Sequence, residues 1–159
     1  MKKLAALIIC GMLALNQGVY ASEMNGKPID VKVTVNGEEI VFPDQKPVLI
    51  NERTLLPVRS VLESMGKTVS WEEATESIII SDDITTVKLR VGDFIMQQSV
   101  LDTVNNETYT SEIELDVAPV VINDRTCLPI RAIAEAFMAT VDWEEETQTV
   151  LIVTADLLC

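Results

Sequence analysis

Histidine does not occur anywhere in the 159 residues. Its absence removes the side chain best suited to proton transfer near neutral pH and the commonest nitrogen ligand of transition metals. Aromatic residues make up only 4% of the chain, with two tryptophans and two tyrosines, too few for a broad polysaccharide-binding platform. Positive charge is scarce as well: 12 Lys and Arg face 25 Asp and Glu, a net charge of −13. A field of that sign repels nucleic acid and anionic membranes. Its simplest use is solubility, although it also suits cationic ligands. No Gly-rich phosphate loop and no metal-spaced cysteine cluster is present. Without a histidine base, a serine or cysteine nucleophile lacks its usual activator.

Long apolar runs are missing too, except at the start. Lys2 and Lys3 precede an apolar stretch from Leu4 to Leu15, and Val19-Tyr20-Ala21 offers small residues for cleavage. This pattern predicts a secretory signal peptide over residues 1–21. The run falls short of the roughly 20 residues that cross a bilayer, and Cys10 leaves with it. The expected mature chain, residues 22–159, loses two lysines and carries a net charge of −15. It has no transmembrane segment and is expected to be secreted or extracellular, either released or retained at the cell envelope. Cys127 and Cys159 remain. An oxidising exterior permits them to pair, within or between chains. The alternative is that Cys127 is buried, since Leu55 holds the corresponding place in the repeat described next.

What the sequence does contain is a duplication. Residues 47–80 align without a gap on residues 119–152, 72 positions later, and 17 of the 34 positions are identical. INERTLLPVR at 50–59 returns as INDRTCLPIR at 122–131. Each unit reads as an extended segment, a turn, a short helix and a β-hairpin. Pro57 and Pro129 suit the first helical position, where the missing N–H costs nothing. Val58, Val61, Leu62 and Met65 form one apolar stripe, and Ile130, Ile133, Ala134 and Phe137 form its equivalent. Helices of about nine residues are marginal alone and need a sheet beneath them. Gly66 is placed to end the first helix in the left-handed conformation. Met138 stands there in the second, so that end must be built differently or carry strain.

The hairpins follow as TVSW at 68–71 and TVDW at 140–143, each with a β-branched partner strand. Val31, Val33 and Val35 alternate toward Asn36-Gly37, a strong hairpin signal. Val87, Leu89 and Val91 make another strand, paired with part of 94–104. Residues 22–30 read as a flexible mature N-terminus and 105–110 as a loop. The fold class is α+β, mostly antiparallel twisted sheet with two short helices and an internally duplicated helix-plus-hairpin unit. The first repeat spans 31–91 and the second 92–159. No Pro/Gly/Ser-rich linker separates them, so they are expected to share strands.

The doubled Ile-Asn-x-Arg-Thr-x-Leu-Pro-Val/Ile-Arg phrase, followed by a helix containing Glu and then Val-x-Trp-Glu, resembles the copper amine oxidase N-terminal-like domain. The same module is called a stalk domain in exported proteins of Gram-positive, often spore-forming, bacteria. The resemblance covers nearly the whole mature chain as two copies. It implies a non-catalytic role at the cell surface, with no catalytic residue and no cofactor or metal. The motif residues it marks are Arg53, Pro57, Arg59, Glu63 and Trp71, with Arg125, Pro129, Arg131, Glu135 and Trp143, and their implied role is structural.

Read from chemistry alone, Arg59–Glu63 and Arg131–Glu135 are four apart on a helix and able to pair. Arg53 and Arg125 precede the helices, where a guanidinium can clamp carbonyls or a carboxylate. The alternative for the arginines is ligand recognition. Trp71 and Trp143 suit a packed core, the alternative being a sugar-stacking surface. The acidic turns at Glu72-Glu73 and Glu144–Glu146 read as solvated faces rather than a glycosidase pair. Calcium at Asp82-Asp83 lacks a loop motif. The resulting expectation is a non-enzymatic structural or interaction module that presents a rigid surface to a cell-surface protein or a cell-wall polymer. The alternative is a small carbohydrate- or peptide-binding protein.

Overall fold

A computed structural model describes residues 26–155. The expected leader, residues 22–25, Cys10 and Cys159 lie outside that range. The architecture is α+β, built on three sheets. The first orders β1 (Lys27–Pro28), β4 (Val48–Ile50), β5 (Arg53–Pro57), β12 (Arg125–Pro129) and β11 (Val120–Ile122). The second orders β10 (Glu107–Glu114), β9 (Ile95–Asp102), β8 (Thr85–Arg90), β7 (Ser77–Ser81) and β6 (Thr68–Glu72). The third orders β13 (Thr140–Glu144), β14 (Thr149–Val153), β2 (Lys32–Val35) and β3 (Glu38–Glu39). The helices are α1 (Val58–Ser64) and α2 (Ile130–Ala136).

Each repeated phrase is a β-hairpin running straight into a helix. Asn51 and Glu52 have φ of 48° and 61°, and Asn123 and Asp124 have 49° and 60°. Two successive left-handed residues give the primed turn that matches strand twist, and asparagine tolerates the first position. The prolines sit one residue earlier than expected. Pro57 (ψ 114°) and Pro129 (ψ 97°) are extended and end β5 and β12, and helical geometry begins at Val58 and Ile130. Strand pairing holds them there, Pro57 opposite Cys127 and Pro129 opposite Leu55. The helices are also shorter than expected, at 7 residues each.

The two phrases pair with each other. Leu56 lies directly opposite Leu128 in the β5–β12 ladder, so a pseudo-two-fold axis passes between these equivalent residues. Both are fully buried, and one large core takes in Val61 and Leu62 of α1, Ile133 and Ala134 of α2, and Val33, Ile78 and Met96 from the sheets. A smaller cluster on the first sheet holds Val48, Leu55, Val120 and Cys127. Burial pushes the Cys127 thiol up to about 11. A thiolate-directed alkylating reagent at pH 8 should therefore leave Cys127 unmodified in the native chain and modify it in urea, a difference that mass spectrometry reads directly.

Both helices end in the same way. Lys67 N–H donates to Leu62 O at 2.9 Å and Gly66 N–H to Glu63 O at 3.0 Å, while Ala139 N–H reaches Ala134 O at 2.9 Å and Met138 N–H reaches Glu135 O at 3.0 Å. This is the Schellman pattern in each case. Gly66 takes φ 73° and Met138 takes φ 58°, so the second copy keeps the design and carries the strain. Met138 is 66% exposed and its side chain contributes little packing. Met138→Gly should stabilise the chain by about 1 kcal/mol; a urea midpoint that fails to rise would contradict this reading.

Other elements depart from the sequence reading. Within residues 22–30, Lys27 and Pro28 pair with Leu49 and Val48 instead of hanging loose. Residues 107–110, expected in a loop, belong to β10, where Thr108, Tyr109 and Thr110 face Leu101, Val100 and Ser99. The Asn36-Gly37 turn forms with φ of 53° and 85°. Its first strand, β2, also adds parallel to β14, and Asn36 accepts from the Thr154 N–H at 3.0 Å. The N-terminal strand thereby completes the sheet of the second repeat.

Candidate functional site

The tryptophans are not core residues. Trp71 is 45% exposed and Trp143 is 44% exposed. Each stands on the first strand of its hairpin, Trp71 opposite Ile78 and Trp143 opposite Val150. The helices and the inner strands already fill the interior, so the indoles lie over its rim.

Each indole lines a groove. The one at Trp71 has a volume of about 450 Å³ and is walled by Pro57, Arg59 and Val69 from the first repeat, but by Asp124, Arg125 and Thr126 from the second. The one at Trp143 has about 560 Å³ and is walled by Pro129, Arg131 and Val141 from the second repeat, but by Glu52, Arg53 and Thr54 from the first. The β5–β12 pairing brings each turn across the pseudo-axis to close the other repeat's groove.

The same exchange places the arginines. Arg53 Nε donates to Asp116 Oδ2 at 2.9 Å and Arg125 Nη2 to Asp44 Oδ2 at 2.6 Å. Asp44 and Asp116 are themselves equivalent, 72 residues apart, so the two pairs are reciprocal. The Asp44 carboxylate beside Arg125 raises the guanidinium pKa further. Both pairs are substantially exposed, so solvent screens their attraction. Their consequence is positional: they fix the groove walls. The helical pairs Arg59–Glu63 and Arg131–Glu135 do not form, and Arg59 and Arg131 take part in none of the ion pairs among the described residues. Both are exposed on groove walls. Glu135 also lines the second groove, whereas Glu63 is exposed on α1.

Catalytic chemistry finds no assembly among the described residues. Ser64-Met65-Gly66-Lys67 has the Ser-x-x-Lys spacing of a nucleophile and its base. Ser64 Oγ donates to Ser60 O at 2.8 Å, while Lys67 Nζ bonds Asp82 Oδ2 at 2.7 Å and lies 5.0 Å from the Phe137 ring centroid. The two side chains serve separate structural contacts. Burial pulls the Asp82 carboxyl up, but the Lys67 ammonium and the backbone N–H groups of Thr85 and Ile84 outweigh it and hold its pKa below the ordinary value. With both oxygens engaged, Asp82 has little left for calcium. Glu72 bonds Lys88 and accepts from Thr75, and Glu144 accepts from Thr147, so these acidic turns are pinned within their hairpins.

The family model described as the copper amine oxidase N-terminal domain matches residues 34–152. The chain belongs to that family. The match is one span that takes in the duplicated segments 47–80 and 119–152. No curated protein and no solved structure matches the chain. Among the described residues, the copper of the family's name finds no donor group suited to it. The sequence has no histidine, the Cys127 sulfur is buried, and no group of three or more His, Cys, Asp or Glu gathers among the described residues. No helix of the described residues is long and apolar enough to cross a membrane.

Proposed function

We propose that this domain is an exported interaction module of a Gram-positive cell envelope, built from two stalk-like repeats over residues 31–91 and 92–159. It holds a rigid surface toward a cell-wall polymer or a cell-surface protein. The observation that carries the reading is the pair of half-exposed tryptophans, each set in a groove walled by both repeats. Exposing an indole forfeits core packing that an α+β domain of this size can use. Walling each groove from both repeats makes its shape as stable as the whole fold. Binding through such a surface depends on shape as much as on charge.

The test is capture of residues 22–159 on purified peptidoglycan, on secondary wall polymer and on isolated surface proteins, at low and at high salt. Retention at high salt on one of these, weakened by Trp71→Ala or Trp143→Ala, is the expected result. Binding that vanishes with salt and ignores both substitutions would reduce the interaction to the general field of an acidic protein.

A further inference from the structure

The duplication provides an internal comparison, because two grooves of one design carry different charges. Around Trp71, Asp44 and Asp124 are balanced by Arg59 and Arg125. Around Trp143, Phe42 is replaced by its equivalent Glu114 and Ser70 by Asp142, and Glu135 joins the wall. Asp142 alternates with Trp143 on β13, so its carboxylate lies on the other face of the strand; four carboxylates, Glu52, Glu114, Asp116 and Glu135, share the wall with two arginines, and Asp116 already holds Arg53. The second groove is thus negative where the first is neutral.

The second groove also has a neighbour. A further cavity of about 460 Å³, walled by Pro28, Val31 and Gln148, shares Thr54 and Trp143 with it. Each cavity alone falls within the roughly 300–1,000 Å³ of a small-molecule site; adjoining at Thr54 and Trp143, they offer a trough to a segment of a polymer.

We propose that this trough binds a linear glycan of amine-bearing pyranoses. The inference rests on the reading of the grooves as binding surfaces and names the ligand class for one of them. A pyranose offers a flat face of C–H groups to an indole and hydroxyl groups to the polar walls, which suits a half-exposed tryptophan in a groove lined by Thr54, Glu114 and Glu135. A protonated amine beside the ring gains both cation–π attraction and the neighbouring carboxylates. The protein's own charge of −13 steers such a ligand inward. An anionic glycan is repelled by the same field, and an N-acetylated one leaves Glu114 and Glu135 without a counter-charge. Arg131 at the wall remains free to meet ring oxygens and hydroxyls.

Calorimetric titration of residues 22–159 with a β-1,4-linked glucosamine hexamer and with its N-acetylated counterpart tests this at physiological ionic strength. The free-amine hexamer should bind at least tenfold more tightly than the acetylated one. Trp143→Ala should weaken it at least tenfold and Glu114→Gln, which removes one wall charge, several-fold. Circular dichroism establishes that each variant is folded, and Glu114→Gln, at an exposed strand position, keeps the test decisive if Trp143→Ala does not fold. Equal affinity for the acetylated hexamer overturns the proposal. So does indifference to both Trp143 and Glu114, or equal binding of a lysine hexapeptide. Absence of binding to the amine hexamer also overturns it, and if wall material is still captured through Trp71, the broader interaction role stands without this ligand.

Discussion

Neither repeat should fold when expressed without the other. A cut between Val91 and Gly92 severs three ladders: β8 from β9, β5 from β12, and β2 from β14. It also divides the large core, to which each half supplies one helix and its half of the Leu56–Leu128 contact. The first half would retain β6, β7 and β8 over a single 7-residue helix, and such short helices hold only by packing. The second would keep the β13–β14 hairpin without the parallel neighbour that β2 provides. Fragments of this size bury too little apolar surface to offset chain entropy. Near-UV circular dichroism and amide proton dispersion should show both fragments unfolded alone, and co-expression should restore native signals. A cooperative unfolding transition in either isolated fragment would show that the repeats are independent beads after all.

Leu56→Ala and Leu128→Ala are the point substitutions expected to cost most. Each removes a fully buried side chain at the pseudo-axis, where both helices and the central sheet converge and neighbours have little room to collapse. The expected loss is about 2–5 kcal/mol each, against a total stability on the order of 5–15 kcal/mol for such domains. Because the two leucines face each other, the double variant should deviate from additivity by about 0.5–3 kcal/mol. Urea denaturation of the four species closes the cycle. Single losses below about 1 kcal/mol would mean that the axis is not the packing centre.

Much of the local structure was legible because it follows from short-range rules. The Asn36-Gly37 turn, the apolar stripes of both helices, the glycine cap at Gly66 and the hairpins after each helix all depend on residues within a few positions of one another. The pairing of β5 with β12 was not legible, since period-two alternation gives a strand's faces and not its partner. The parallel addition of β2 to β14 escaped for the same reason. The positions of Pro57 and Pro129 were misread by one residue because that ladder keeps them extended.

The candidate site was harder still. Trp71 and Trp143 were identified by their recurrence, but a large apolar side chain on a strand suits a core equally well, and burial is decided by what else fills the interior. Val61, Leu62, Ile133 and Phe137 fill it here, which leaves the indoles outside. Arg53 and Arg125 were read as clamps on carbonyls or a carboxylate, without a named partner. The carboxylates are those of Asp116 and Asp44, 63 and 81 residues away, contacts that no local spacing encodes.

By itself, then, the chain's order of residues determined the elements, the duplication, the acidic character and the lack of histidine chemistry, because each is a property of composition or of neighbours along the backbone. Only the tertiary structure decided that the repeats interlock, that each lends a turn to the other's groove, and that Trp143 lines two cavities. Those outcomes depend on which buried surfaces compete best for one another across the whole molecule. That competition is settled by packing in three dimensions, where residues 72 positions apart become neighbours.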